Sequence, residues 1–437
     1  MTTGSTGTAT TDSNGEHVTE EQVAMASVGS NWAGNLAYGA RDVAAPSSVD
    51  ELAELLQGAG PFRPLGTRHA FNEIADTTGT LVSTANLPEI VEIDADRRTV
   101  RVSAAIRYGD LAPRLASAGW ALANLASLPH ISVAGAVATG THGSGDKVGS
   151  LASAVAGLEL IDTDGRRHEL RRGDPDFDGA VVSLGALGVV TEVELDIEPA
   201  FEVAQTVYEG LDWNEVLGDL DAVTSLGYSV SLFTSWRSAD RIDQLWVKHR
   251  TDHEERDVPF VRATRPRHPL EGISAEHTTE QLGVAGAWFD RLPHFRLDFT
   301  PSNGEELQSE YLVPREHAAA ALEAVRGLAD RIAPLIHVTE IRTVAADELW
   351  LSSAYGTGAV GIHFTWRPVQ PAVEAFLPTL EAALEPFGAR PHWGKLFTMP
   401  GERMPQLYPR WHDFAALRGR FDPRGALRNP FLERLGL

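Results

Sequence analysis

The sequence predicts an α+β protein built in two unlike parts, and three observations carry that expectation. Up to about residue 200, short apolar runs with strand character alternate with short helical periods. From residue 201 the strands lengthen and gain aromatics, as in FEVAQTVYEG (201–210), YSVSLFTSWR (228–237) and IDQLWVKHR (242–250). Between 314 and 395 helix and strand alternate, which fits one sheet with helices packed on a single face. No internal repeat interrupts this order.

Taken in order, residues 1–28 are polar and low in complexity and lack the basic and apolar regions of a secretory signal. They read as a disordered tail that cannot bury enough apolar surface to order itself. Order starts near NWAGN at Asn31. Ser48-Val49-Asp50-Glu51 is a capping box, and VDELAELLQ (49–57) keeps helical spacing up to Gly58. A short strand then runs into Pro64-Leu65-Gly66. TLVST (80–84) and EIVEIDADRRTVRVSA (89–104) supply further strands. GDLAPRLASAG (109–119) is a helix closed by Gly119 in the left-handed conformation. VAGLELIDTDGRRHEL (155–170) is a hairpin turning at Asp164-Gly165. Residues 251–285 are charged and rich in Pro and His, as long loops are. The helix PREHAAAALEAVRGLADRIA (314–333) precedes the strand IHVTEIRTV (336–344). A helix-like stretch leads to AVGIHFTWR (359–367), and the helix PAVEAFLPTLEAALEPF (371–387) leads to a third strand, ARPHWGK (389–395).

At 437 residues the chain suits two or three domains, and 43% hydrophobic content is that of a globular protein. A net charge of −23 argues against nucleic acid, whose phosphates demand a basic face, and against anionic membrane surfaces. No run reaches the roughly 18 consecutive apolar residues of a membrane span. The absence of cysteine excludes disulfides, thiolate metal sites, iron–sulfur clusters and cysteine nucleophiles, and it fits a cytoplasmic protein.

Two glycine-framed loops and one pair of strands carry chemistry. ISVAGAVATGTHGSG (131–145) has glycines at 135, 140, 143 and 145, which let backbone amides approach a ligand. It is not a Walker A loop, because Thr141-His142 replace the Lys-Ser/Thr pair. Nor is it a Rossmann fingerprint, because Val148 stands where the third glycine belongs. A turn-dense strand connection gives the same pattern. Together with GTRHAFNEIAD (66–76) it suits a pyrophosphate ligand, with Thr139, Thr141, His142 and Ser144 as side-chain donors. His69 on its own reads as a solvated loop histidine.

Along AVGIHFTWR, Val360, Ile362, Phe364 and Trp366 share one face, and Gly361, His363, Thr365 and Arg367 share the other. Glu340 and Arg342, two apart in IHVTEIRTV, point the same way. In one sheet these residues and Lys395 would line one polar surface. One reading is a solvated face with an ion pair of little energetic worth. The other is the floor of a site for a neutral polyhydroxylated ligand. There Lys395, its pKa lowered beside Arg342, takes a hydroxyl proton as general base.

In their order, PLGTRHAFNEIADT, SLPHISVAGAVATGTHGSG, EIRTV, HFTW, PHWGK and the closing FDPRGALRNPFLERL resemble the alditol (xylitol) oxidases, from about residue 30 to the end. These belong to the vanillyl-alcohol-oxidase-type flavoprotein superfamily, near the sugar-lactone oxidases. The resemblance implies a two-domain flavoprotein: a split FAD-binding domain at 29–200, and a substrate (cap) domain at 201–395 built on an antiparallel sheet covered by helices. Residues 396–437 return to the first domain. It implies FAD attached through its 8α-methyl to His69, by a single link since no cysteine is present for a second. Pro64, Leu65, Gly66, Thr67, Arg68, His69 and Ala70 would wrap the cofactor. Ser132, Gly135, Thr139, Gly140, Thr141 and His142 would hold its diphosphate region, Val190 its adenine side, and His392 would reach the flavin.

The same resemblance places Ser127, Glu340, Arg342, Thr365 and Lys395 at the substrate, with Ser127, Arg342 and Thr365 also on the cofactor and His363 in support. The implied reaction takes a hydride from the terminal carbinol of an alditol such as xylitol or sorbitol. Arg342 and Lys395 polarise or deprotonate the hydroxyl, while Glu340, Thr365 and Ser127 grip the other hydroxyls. Dioxygen takes the electrons, giving hydrogen peroxide and an aldose. The expected partners are polyol and dioxygen for a monomer without nucleic acid, membrane or metal. Alternatives are a sugar-1,4-lactone oxidase or dehydrogenase of the same superfamily, a non-catalytic flavin-binding protein, and a carbohydrate-binding protein. Oxidase against dehydrogenase turns on small side chains near the flavin, such as Ala126.

Overall fold

The computed structural model describes residues 10–11, 17–18, 28–254, 257–296 and 306–437. Apart from the described positions, the tail expected at 1–28 lies outside them. The first part is built mainly on two sheets, beside two-stranded pairings such as Trp120–Ala121 with Glu198–Pro199. β1 (Asp42–Ala44), β2 (Phe62–Leu65) and β3 (Thr80–Ser83) run parallel in the order β1-β3-β2. β4 (Val91–Asp94), β5 (Thr99–Ser103), β6 (Val155–Ile161), β7 (Arg167–Arg171) and β8 (Val189–Asp196) are antiparallel in the order β7-β6-β8-β5-β4.

Helix α1 (Val49–Leu56) joins the two sheets. Leu52 and Leu56, one turn apart, pack on Phe62 and Val82 of the small sheet and on Ile161 and Val189 of the larger one. Each such leucine, fully buried, contributes roughly 1.5–3 kcal/mol. The Ser48 hydroxyl accepts the Glu51 N–H at 3.2 Å, as a capping box requires. Glu51 in turn accepts from the Ser47 N–H at 2.8 Å, one residue earlier than the motif predicts. The β6–β7 hairpin turns at Gly165, whose φ of +77° and close approach to the backbone carbonyl of Ala53 (2.9 Å from an added Cβ) both favour glycine. The C-terminal residues come back onto β2. Phe62 N–H donates to Ala426 O at 2.7 Å. The Asn429 amide donates to the carbonyls of Glu73, Ile74 and Asp76, while its Oδ1 caps the helix Pro430–Leu435.

The second part is one antiparallel sheet. β9 (Glu202–Asp212), β10 (Ser229–Thr234), β11 (Arg241–Arg250), β12 (Leu307–Pro314), β13 (Ile336–Val344), β14 (Ala359–Trp366) and β15 (Arg390–Pro391) take the order β9-β11-β10-β13-β14-β12-β15. Two short strands, Val261–Arg262 and Ala285–Ala287, pair with β9. The helices α2 (Ala318–Arg326) and α3 (Gln370–Leu384) cover one face. Trp366 stacks on Phe364 at 4.9 Å and meets Phe376 of α3 edge-on at 6.0 Å, so the apolar parity of β14 faces the helices.

Four details differ from the sequence expectations. The helix expected over 314–333 breaks after Arg326, where Gly327 and Leu328 separate α2 from a single turn, Ala329–Ile332; an interior glycine costs about 1 kcal/mol. The helix-like stretch after β13 is a series of turns. There Asp347 accepts from Leu349 N–H and Ser352 Oγ, side-chain bonds that compete with a helix. The third strand ends at Pro391, and a turn follows in which Lys395 N–H donates to His392 O at 3.1 Å and Gly394 N–H to His392 Nδ1 at 3.1 Å, so Lys395 stands on a loop. β12 was not expected from the sequence, and it lies at the centre of the site. No helix among the described residues is long and apolar enough to cross a membrane.

Candidate active site

Strand β2 delivers Gly66–Ala70 to the wall of a cavity of about 540 Å³, the size of a small-molecule site. Arg68 takes a left-handed φ of +63°, which costs an L-residue about 1–2 kcal/mol. Compensating contacts hold it there. Its Nη1 donates to Val28 O at 2.6 Å, its carbonyl accepts Trp32 N–H at 2.8 Å, and its guanidinium lies 5.3 Å from the Tyr38 ring. His69 then faces the cavity, stacked on Trp32 at 5.3 Å, with Nδ1 3.1 Å from Thr67 Oγ1. Burial, reinforced by His130, pushes its pKa down to about 4, which favours the neutral ring.

Pro64, Leu65, Gly66, Thr67, Arg68, His69, Ala70, Ala126, Ser127, Ser132, Gly135, Thr139, Thr141, His142, Val190 and His392 line this one cavity. So do Glu340, Arg342, His363, Thr365 and Lys395. Gly140 does not line it; it turns the chain, at φ +63°, after the helix Val133–Ala138. An added Cβ at Gly66 or Gly135 would come within 2.8 or 2.9 Å of Ser132 Oγ. These glycines therefore keep the wall open. An open glycine wall with a neutral imidazole on it fits a bound FAD.

The floor is the uncovered face of β12, β13 and β14. Register sets Glu310, His363 and Glu340 in one row across these strands, and Leu312, Gly361 and Arg342 in the next. Gly361 leaves a gap, since a Cβ there would stand 2.9 Å from Glu310 Oε1. Arg342 reaches across it, its Nη2 donating to Glu310 Oε1 at 2.7 Å. Lys395 Nζ donates to Oε2 at 2.6 Å, and His142 Nε2 stands 3.2 Å from Oε1. Arg342 Nη1 also reaches Ser127 Oγ at 3.4 Å. Among the described residues Arg342 Nε is buried without a hydrogen-bond partner, 3.7 Å from Glu340 Oε2, and neither ring nitrogen of His363 has one.

Burial alone would raise the Glu310 carboxyl, but Arg342 and then Lys395 outweigh it and hold the group well below the usual range. Glu340 is held low in the same way by Arg342 and His294. The two carboxylates balance the two cations. Lys395 is shifted down chiefly by burial, with Glu310 opposing and Arg342 reinforcing the shift. The direction expected from Arg342 therefore holds, with desolvation as the larger cause. Arg342 itself is shifted up, because Glu310 and Glu340 outweigh its burial.

Lys395 is placed by the cofactor side of the cavity. Asn72 Nδ2 donates to Lys395 O at 2.7 Å and to Trp393 O at 2.9 Å, and Phe71 N–H donates to Gly394 O at 2.8 Å. The His69 loop and the Lys395 loop are thus tied together. Sequence reading passed over Glu310, the hub of the cluster, and His294, which holds Glu340 Oε1 at 2.7 Å. The alternation in LQSEYLVP, the same parity used for HFTW, was a usable signal for Glu310. His294 lies in a loop without periodicity, and nothing local marks it. Among the described residues no group of His, Asp and Glu could hold a metal ion.

Comparison with known proteins agrees with this geometry. Residues 40–171 match the model of an FAD-binding domain, and 301–435 match that of D-arabinono-1,4-lactone oxidase. The chain is 48% identical over 415 residues to an alditol oxidase of Streptomyces sp. (strain IKD472 / FERM P-14339), covering 94% of this chain and 99% of that protein. It is 28% identical to an L-gulono-1,4-lactone dehydrogenase of Mycobacterium tuberculosis, again over 94% and 99%. A crystal structure of cholesterol oxidase from B. sterolicum superposes with a TM-score of 0.77 at 15% identity, covering 93% of this chain and 96% of that one, and so shares the fold. The chain therefore belongs to the alditol oxidase family, FAD-binding oxidoreductases with a cholesterol-oxidase-like fold.

Proposed function

We propose that this protein oxidises the terminal primary alcohol of alditols, xylitol and sorbitol among them, to the aldose, with dioxygen reduced to hydrogen peroxide. The observation that carries this reading is the balanced cluster in which Glu340, Arg342 and Lys395 line the same cavity as His69, with Glu310 behind them bonded to Arg342 and Lys395. A charged ligand would upset that balance, whereas hydroxyls can donate to Glu340 and accept from Arg342 without changing it. We read 29–200 and 396–437 as the part that holds the cofactor, and 201–395 as the part that holds the substrate.

His69, by a covalent link, and the glycine-framed wall at Gly66 and Gly135 would hold FAD in the cavity, where it would supply a two-electron acceptor for oxidation of the carbinol that dioxygen can reoxidise. Lys395 is the general base. Its ammonium completes the balanced cluster at rest; its lowered pKa eases loss of that proton, and the resulting amine takes the hydroxyl proton on its lone pair, restoring the balance, while one N–H stays on Glu310 Oε2. Arg342 stays protonated and stabilises the developing alkoxide. Ser127, Glu340 and Thr365 hold the remaining hydroxyls, and Arg342 is oriented by Glu310.

The test is anaerobic mixing of the yellow protein with excess xylitol, following the flavin band near about 450 nm. Rapid bleaching is expected, and admitting air should restore the band with release of peroxide. No bleaching would sink the polyol reading. A lactone substrate is the second reading, favoured by the lactone-oxidase match over 301–435; bleaching by aldonolactones but not by xylitol would select it.

A further inference from the structure

Behind Glu340 lies a second buried polar chain that the proposed chemistry does not use. His294 stands in the cavity wall, its ring edge-on to Phe233 at 5.5 Å and to Trp246 at 5.3 Å. Its Nε2 is 2.7 Å from Glu340 Oε1, and its Nδ1 is 3.3 Å from Lys248 Nζ. Lys248 comes from β11 and is only 1% exposed. The same Nζ donates to the carbonyls of Leu292 and Pro293.

These partners dictate where the protons sit. Carbonyls only accept, so a Lys248 ammonium gives them two of its hydrogens and points the third at Nδ1. Nδ1 then accepts, Nε2 carries the proton, and that proton faces Glu340 Oε1. If the third proton moves onto Nδ1, Nε2 still keeps its own. Glu340 Oε1 is engaged in both states. Among the described residues the charged groups around the ring are Lys248, Glu340 and Arg342, and no other acceptor competes for Nε2. Among the described residues this leaves Oε2 of Glu340, 3.7 Å from Arg342 Nε, which has no hydrogen-bond partner there. One hydroxyl oxygen can stand at hydrogen-bond distance from both, accepting from Nε and donating to Oε2.

We propose that His294, its tautomer set by Lys248, is a positioning residue that orients Glu340 so that Oε2 and Arg342 Nε form a matched acceptor and donor for one substrate hydroxyl. The inference rests on the polyol reading of the site. It assigns a task to two buried ionisable groups whose burial is otherwise only a cost.

The test uses the FAD-loaded full chain. Imidazole ¹⁵N shifts, with the His294 signal identified by its loss in His294→Gln, are expected to show the Nε2–H form, changed in Lys248→Met. An Nδ1–H form in the unaltered protein overturns the proposal. Anaerobic reduction by xylitol then separates half-saturation from limiting rate. His294→Phe keeps the ring but drops the donor, and should raise the half-saturating concentration by roughly tenfold, with a smaller change in limiting rate. His294→Gln, whose amide N–H can replace Nε2–H, should recover much of that loss. A space-filling role predicts the opposite order, with Phe nearer the unaltered protein than Gln, and that order overturns the proposal. If xylitol fails to reduce the unaltered protein, the polyol reading falls, while the ¹⁵N shifts still decide the Lys248–His294 arrangement.

Discussion

The two walls of the cavity are built in opposite ways. The wall at Gly66–Ala70 is one continuous loop, shaped by local backbone geometry and held by the strained Arg68 and the Trp32–His69 stack. The wall opposite is collected from three strands and a distant loop, and its members meet only through tertiary structure. Glu310 and Lys395, in contact at 2.6 Å, are 85 residues apart. The first wall depends on conformation. The second depends on charge balance, since each buried cation there is tolerable only beside its carboxylate. Changes on the two walls should therefore fail differently.

The largest effect is expected on the collected wall. Lys395→Met should leave the flavin spectrum intact but slow its reduction by xylitol by roughly 10²- to 10⁴-fold, the range of a lost general base. Near-normal stopped-flow reduction would remove Lys395 from the chemistry. Because burial lowers this lysine, the reduction rate of the unaltered protein should rise with pH along a limb lying below 10.5, the ordinary lysine value.

Glu310→Gln comes next. It leaves Arg342 and Lys395 without their shared carboxylate and should cost about 3–5 kcal/mol of stability, read by denaturant unfolding. The pH dependence follows the same carboxyls. Their folded pKa values lie below the unfolded value of 4.5, so their contribution is present above that pH and is lost as pH falls below it. The acid limb of the melting curve should flatten in Glu310→Gln; an unchanged limb would show that Glu310 is not charged in the folded protein.

Gly361→Ala tests the register alone. The new Cβ would stand 2.9 Å from Glu310 Oε1 and displace the Arg342–Glu310 bond. A loss of about tenfold in reduction rate is expected, that of one charge-assisted hydrogen bond; full activity would mean that Arg342 works without Glu310.

On the loop wall the smallest change in rate is expected. His69→Ala should still bind flavin through the glycine-framed walls, yet release all of it on acid precipitation. Yellow colour retained in the pellet would contradict attachment at His69.

The same contrast explains what could be read in advance. The parity of HFTW and EIRTV marked the floor, because alternation along a strand is local. The hairpin at Asp164-Gly165 and the Ser48 cap were legible for the same reason. Arg342 and Lys395 were visible as cations, and the alternation in LQSEYLVP could mark Glu310 as polar, but that it is their shared counter-charge appears only when β12 pairs with β14. Lys395 was expected on a strand and stands on a loop, since the chain turns back on the His392 carbonyl and ring after the short strand. His294 and Lys248 left no local trace, since a loop histidine and a strand lysine are ordinary until burial forces them together.

By itself the sequence determined the α+β class, the acidic, cysteine-free chemistry, the His69 loop and the polar faces of two strands. Each of these depends on neighbours within a few residues, through backbone periodicity and turn propensity. Only tertiary structure decided that Gly361 opens a passage for Arg342, that Glu310 neutralises two cations, and that Lys248 and His294 stand behind Glu340. Those facts follow from strand order and register, and from desolvation, which makes a buried charge seek its partner wherever the fold has brought one.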